Sequence, residues 1–179
     1  RVASQLRPGL YLLPTDNGLE DVLNELSADP GKLYALRDAI RARAGWFDVV
    51  VIDAPPSVSA LAWAALVAAD VVVVPTLPDK TAIKGLRNVI RQIDDVRVNL
   101  GEAPTLVGVL ANMVNTRIAS DREAMEELQT GDMPRLLGTL PRRRGRRAWA
   151  ELTAAFAPIA FNICKAAGIA VPRTDAPAE

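Results

Sequence analysis

Short apolar runs alternate along the chain with longer stretches whose apolar residues recur every three or four positions, the pattern of strands and helices in a layered α/β domain. Residues 10–13, Leu-Tyr-Leu-Leu, predict a strand stopped by Pro14. Asn17 can cap a helix over 19–26, with Glu20 at capping-box spacing. Asp29-Pro30 puts proline at the first position of a second helix reaching about residue 44. Val49, Val50, Val51 and Ile52 are consecutive and β-branched, which predicts a strand buried on both faces of a parallel sheet and ending at Asp53. Ser57 or Ser59 can cap a small-residue helix ending near residue 69, and residues 71–74 form the next strand, closed by Pro75. Ile83, Leu86, Val89, Ile90 and Ile93 share one helical face, so a helix over 81–98 should pack on the sheet. A strand over 106–111 runs into a polar loop at 112–120, Asp121 opens a helix to about 129, and a short strand over 136–140 meets Pro141. A last helix over about 149–167, bent or split at Pro158, carries Trp149, Leu152, Phe156 and Ile159 at core spacing.

Strands each followed by a helix imply right-handed crossovers and a parallel sheet, with ligands at the carboxyl ends of the strands. Asp53 is then the first candidate for chemistry, although a carboxylate there can equally end a strand or cap the next helix. At 179 residues the chain suits one domain with a substantial core. A single cysteine, Cys164, and no histidine exclude a disulfide framework, a Cys/His zinc site and a histidine-based triad, and make a reducing cytoplasm the expected setting. No apolar run approaches the roughly 18–20 residues that span a bilayer.

Twenty-one basic and 21 acidic residues balance to zero net charge, so the chain as a whole has no pull on polyanions. The positive charge is unevenly placed, however: Arg142, Arg143, Arg144, Arg146 and Arg147 fall within six residues. Such a block is either solvated surface or a contact for nucleic-acid phosphates, to which Arg117 and Arg122 would add weakly. Asn112 and Asn115 can offer amides to a base edge or simply form turns. Lys80 and Lys84 lie either near a dimer face or in solvent. No carboxylate pair stands out as an acid/base dyad, and no nucleophile neighbours a base.

The sequence Ile52-Asp53-Ala54-Pro55-Pro56-Ser57 closes the apolar run, and at this point the chain resembles the ParA family of deviant Walker-A ATPases, the partition proteins related to MinD. There, Asp-x-Pro-Pro-Ser after four apolar residues is the Walker B and switch II element. The resemblance continues in family order over about residues 6–150. It takes in Pro8-Gly-Leu-Tyr-Leu-Leu-Pro-Thr15, the alanine-rich helix followed by Ala69-Asp70 and Val71 to Pro75, and Ala82-Ile-Lys-Gly-Leu86. Beyond these come Val107-Gly-Val-Leu110 with Asn112, Met113, Thr116 and Arg117, and then Gly138-Thr-Leu-Pro-Arg142. The resemblance implies an α/β fold of the P-loop NTPase type, a layered parallel sheet flanked by helices, partial in that its first strand and Walker A loop are absent. It implies Asp53 as the Mg²⁺ acid, acting through water, and Pro55, Pro56 and Ser57 as the relay of the γ-phosphate state. Adenine contacts would fall to Asn112, Met113, Pro141 and Arg142. Non-specific DNA would be held by Arg142, Arg143, Arg144, Arg146, Arg147, Arg117 and Arg122. An ATP-bound homodimer, a ParB-like partner and nucleoid association in the cytoplasm follow for the intact protein.

Nucleotide phosphates need a glycine-rich loop followed by Lys and Ser/Thr. Pro30-Gly31-Lys32 holds the chain's single Gly-Lys pair, lacks the upstream glycines and the hydroxyl, and reads as a helix start. The family's Lys-Gly-Gly-x-Gly-Lys-Thr is therefore expected before Arg1, and residues 1–170 read as a partial ATPase domain followed by a disordered Pro/Ala-rich tail at 171–179. A MinD-like regulator remains an alternative, although the tail lacks an amphipathic membrane helix. A cellulose-synthesis-type relative on the same scaffold, or a non-catalytic DNA-binding remnant that uses no nucleotide, also fits. The expected outcome for the chain as given is no hydrolysis of Mg-ATP above background in a phosphate-release assay. Turnover that vanishes in Asp53→Ala would overturn it.

Overall fold

The computed structural model describes residues 4–14, 18–55, 57–142, 159 and 163, and the chain divides into two compact units, Arg1–Ala68 and Ala69–Glu179. In the first, β1 (Ser4–Arg7) pairs antiparallel with β2 (Leu10–Leu12), joining Ser4 to Leu12 and Arg7 to Leu10. Pro8-Gly9 makes the turn, and Gly9, at φ 76°, supplies the left-handed residue that a Pro-Gly turn requires. Sequence pattern picks out β2 and misses β1, whose Ser-Gln-Leu-Arg composition becomes a strand only through its partner.

Helix α1 (Leu19–Ala28) follows the predicted segment, while the Asn17 cap lies outside the described residues. The helix expected from Asp29 to residue 44 is split. Asp29 Oδ1 accepts from Gly31 N–H at 3.0 Å, a 3-10 turn covers Pro30–Tyr34, and α2 spans Ala35–Arg41. Proline sets the first turn and Gly31 is a poor helix former, so the tighter turn precedes the α-helix. Lys32 Nζ donates to Glu25 Oε2 at 2.9 Å, and that bond together with the carboxylate's charge holds the ammonium pKa above its ordinary value. Helix α3 (Ala60–Ala68) begins where Ser59 Oγ accepts from Ala62 N–H at 3.3 Å. Its buried Ala62, Ala64, Ala65 and Val67 let it pack closely on α1, the 3-10 turn and α2, around Leu26 and Leu33.

The strand expected over 49–52 is not formed. These residues are irregular, and Val49, Val50 and Val51 are 50%, 50% and 87% exposed. β-Branched composition favours extended chain, but a strand exists only where a neighbour completes its ladder, and among the described residues none pairs here.

In the second unit β3 (Val71–Thr76), β4 (Thr105–Val114) and β5 (Leu136–Pro141) form a parallel sheet in the order β3-β4-β5. The crossovers are α4 (Lys80–Leu100) and α5 (Ala119–Thr130). Asp79 caps α4 by accepting from Ala82 N–H at 2.8 Å, and Gly101, at φ 72°, ends it. The core joins Ile83 and Leu86 of α4, Val109, Ala111 and Val114 of β4, and Ala124 and Leu128 of α5. An exposed pair, Arg87 with Glu127 at 3.0 Å, links the two helices. Such a pair contributes roughly 0–1 kcal/mol, whereas each buried Ile, Leu or Val contributes roughly 1.5–3 kcal/mol, so the apolar face decides how α4 and α5 pack. Of the expected last helix, Ile159 and Ile163 are described. Both are helical, and Ile159 is buried.

β4 and the start of β5 approach closely at Gly108. A Cβ there would lie 2.3 Å from Arg135 O and 2.9 Å from Leu137 Cγ, and φ is 155°. At Gly138 the obstacle is instead the buried Ile159 side chain, with Cδ1 at 2.6 Å and Cγ1 at 2.7 Å, and no backbone atom stands in the way. Urea unfolding should therefore show Gly108→Ala destabilised by about 2 kcal/mol or more and Gly138→Ala by less than about 1.5 kcal/mol. Equal midpoints for the two variants would contradict this account of the sheet.

Candidate functional site

Asp53 sits in the irregular segment between Phe47 and Ser59. The Phe47 ring packs edge-on against Tyr11 with centroids 5.6 Å apart, which anchors the start of the segment on β2. At its other end Ser57 Oγ donates to Ser59 Oγ at 3.2 Å, so Ser57 is tied to the cap of α3. Asp53 and Pro55 are exposed, and Pro56 lies outside the described residues. Among the described residues Asp53 has no hydrogen bond or ion pair, and no group of three or more His, Cys, Asp or Glu side chains forms a metal cage. A lone, accessible carboxylate fits magnesium, which keeps most of its water and takes one or two carboxylates together with substrate phosphates.

The base-site candidates lie at the carboxyl ends of β4 and β5. β4 does not stop at residue 111 as expected but continues through Asn112 and Met113 to Val114. Met113 has φ 58°, left-handed for a non-glycine residue, and the β4/β5 register shifts between Ala111 and Val114. The ladder thereby skips past Met113 and resumes with Val114 opposite Pro141, and Arg142 N–H donates to Val114 O at 3.0 Å. Asn112, Met113, Pro141 and Arg142, far apart in sequence, are thus gathered at one strand end.

Both asparagine amides have a determined orientation, because each oxygen accepts a backbone N–H that an amide nitrogen could not. Asn112 Oδ1 takes Met113 N–H at 2.9 Å, and Asn115 Oδ1 takes Arg117 N–H at 3.2 Å. Asn115 is a turn former, as one reading of the sequence had it, and its own N–H donates to Asp121 Oδ2 at 2.9 Å. The helix expected to open at Asp121 begins instead at Ala119, which puts Asp121 in its first turn facing back to the loop. Sequence reading missed this contact; an aspartate in a first helical turn is the one signal that could have suggested it. Val114, Thr116, Asp121, Arg122, Met125, Glu126 and Gln129 line a shallow cavity of about 170 Å³. That is smaller than the roughly 300–1,000 Å³ of a ligand pocket.

Of the basic residues, Arg117 and Arg142 are exposed, and Arg122 Nη1 donates to Thr116 O at 3.1 Å. Arg143, Arg144, Arg146 and Arg147 lie outside the described residues. Lys80 and Lys84 are exposed on α4, Lys80 lying 4.0 Å from Glu123. No helix among the described residues is long and apolar enough to cross a membrane.

The AAA domain family profile matches residues 2–104. The chromosome partitioning protein ParA of Caulobacter vibrioides is 36% identical over 124 residues, covering 68% of this chain and 46% of that protein. The chain thus spans about half the length of this curated relative. Among solved structures, an ATP complex of Cyanothece McdA superposes with a TM-score of 0.78 at 17% identity, over 94% of this chain and 70% of that one. Cobyrinic acid a,c-diamide synthase of Mycobacterium smegmatis, solved with an ATP analogue and magnesium, superposes with a TM-score of 0.73 at 30% identity, over 87% and 64%.

The left-handed backbone at Met113 costs a methionine about 1 kcal/mol that glycine avoids. Thermal unfolding of Met113→Gly should accordingly show no loss of stability despite the removed side chain. A destabilisation above about 1 kcal/mol would mean that the half-exposed methionine contributes packing that outweighs the strain.

Proposed function

The chain belongs to the ParA/MinD family of ATPases, and from that premise we propose that it is part of a partition ATPase that binds Mg-ATP, dimerises in the ATP-bound state and holds DNA without sequence preference. The observation that carries this reading is the gathering of Asn112, Met113, Pro141 and Arg142 at the paired ends of β4 and β5, in a chain 36% identical to a chromosome partitioning protein. Ligands in open α/β sheets bind at that end of the strands.

Asp53 would hold magnesium, acting through water with its accessible carboxylate. When bound, the metal neutralises phosphate charge during phosphoryl transfer. Pro55 and Pro56 restrict the backbone after the acid, so that Ser57, tied to the α3 cap, moves with it and reports the state of the γ-phosphate. At the base end the Asn112 oxygen is occupied by Met113 N–H, which leaves the amide nitrogen to donate to a ring nitrogen of adenine. Pro141 offers an apolar face and Arg142 an exposed guanidinium. The arginines from Arg142 to Arg147, with Arg117 and Arg122, contact DNA phosphates, and a ParB-like partner stimulates hydrolysis on the nucleoid.

Retention of the chain on random duplex DNA tests the DNA assignment. Neutralising about seven phosphates gives a slope of about −6.3 in log affinity against log salt. Replacing Arg143, Arg144, Arg146 and Arg147 by alanine leaves about three contacts and should reduce it to about −2.7. An unchanged slope would remove the cluster from the interface, and tight retention without ATP would favour a DNA-binding relative that uses no nucleotide.

A further inference from the structure

The segment joining β4 to α5 is more constrained than a connection needs to be. An acidic residue in the first turn of a helix ordinarily complements the helix dipole or reaches back to the N–H of the cap residue, here Ile118. Asp121 instead reaches six residues back, beyond the start of α5, to take Asn115 N–H at 2.9 Å in a half-buried contact. Asn115 in turn holds its own loop, its side chain accepting from Arg117 N–H and its carbonyl from Ile118 N–H at 3.0 Å. Immediately before it, Val114 is pinned to β5 through Arg142 N–H. The left-handed Met113 lies directly upstream of these two fastened residues, and such a conformation persists only where its surroundings over-determine it.

We propose that Asp121 is a positioning residue for the base end of the nucleotide site. Its carboxylate fixes Asn115, and through Asn115 and Val114 it sets the placement of the Asn112 amide and Met113 against Pro141 and Arg142. Discrimination between adenine and guanine therefore depends on a residue that does not touch the base. This rests on the assignment of the β4 and β5 ends to the base. Without Asp121, the Asn115 N–H loses its partner, the 112–118 segment samples other arrangements, and the Asn112 donor is no longer held where one purine edge fits better than the other.

The test is an NMR titration of the full chain with millimolar adenosine and, separately, guanosine, which need no phosphate loop, following the Asn112, Met113 and Arg142 amides, together with hydrogen exchange at Asn115 and a thermal melt. The wild type should prefer adenosine on the order of tenfold, the worth of one well-placed hydrogen bond. Asp121→Ala should reduce the preference to within about twofold and speed exchange at Asn115, while Asp121→Asn, which keeps an oxygen for that N–H, should restore most of both. Wild-type preference in Asp121→Ala, or an Asn variant no better than the Ala one, overturns the proposal. Should Asp121→Ala fail to melt cooperatively, Asp121→Glu, which keeps the charge but displaces the oxygen, provides the same comparison. A wild type whose amides respond to neither nucleoside overturns the base-site assignment and the proposal with it. That failure is distinguishable, because exchange at Asn115 still reports whether Asp121 holds the loop.

Discussion

Strand β4 is paired along both edges, with β3 on one side and β5 on the other, and the rest of the second unit is arranged around that fact. Its central residues Val109 and Ala111 are fully buried, and they receive Ile83 and Leu86 from α4 and Ala124 and Leu128 from α5. Gly108 contributes to this by letting the chain at Arg135 and Leu137 lie where a Cβ would clash. The cap at Asp79 contributes about 1 kcal/mol and the Arg87–Glu127 pair less, small beside the apolar core that β4 organises. The same pairing creates the candidate site. Because β4 is held on both flanks, the irregularity at Met113 is confined to its last residues, where it exposes Met113 and leaves Asn112 half-buried at the strand end without disrupting the core.

In the first unit the balance is different. A two-stranded hairpin is marginal by itself, and here Leu10, Tyr11 and Leu12 remain exposed, as do the valines before Asp53. What orders this unit is helical: the alanine face of α3 packs against α1, the 3-10 turn and α2. Asp53 therefore stands on a segment fastened at its two ends, by Phe47 on Tyr11 and by the serines at the start of α3, and not on a strand held along its length.

Much of this was legible in the sequence, and the places where it was not share a cause. The stripe Ile83, Leu86, Ile90 and Ile93 announced α4, and the valine run at 71–74 with its closing proline announced β3, because these patterns are repeated along one element and need no partner to be read. β1 was invisible for the opposite reason, having no pattern until β2 pairs with it. The 49–52 run carried the right composition for a strand and did not form one, since composition cannot supply a neighbour. The helix beyond Asp29 was legible in extent but not in its 3-10 start, which depends on a local bond from Asp29 to Gly31.

For the site, residue identities came from sequence and their relations did not. Asn112, Met113, Pro141 and Arg142 could be named from motifs in chain order, as could Asp53, Pro55 and Ser57. That Val114 lies opposite Pro141, that Met113 is left-handed and that Asp121 reaches back to Asn115 are long-range facts. The sequence by itself determined the α/β class, the family and the residue types available for phosphate, metal and base. The tertiary structure decided which of them meet, because strand register and backbone geometry are set by contacts between residues far apart in the chain, and no local pattern encodes those contacts.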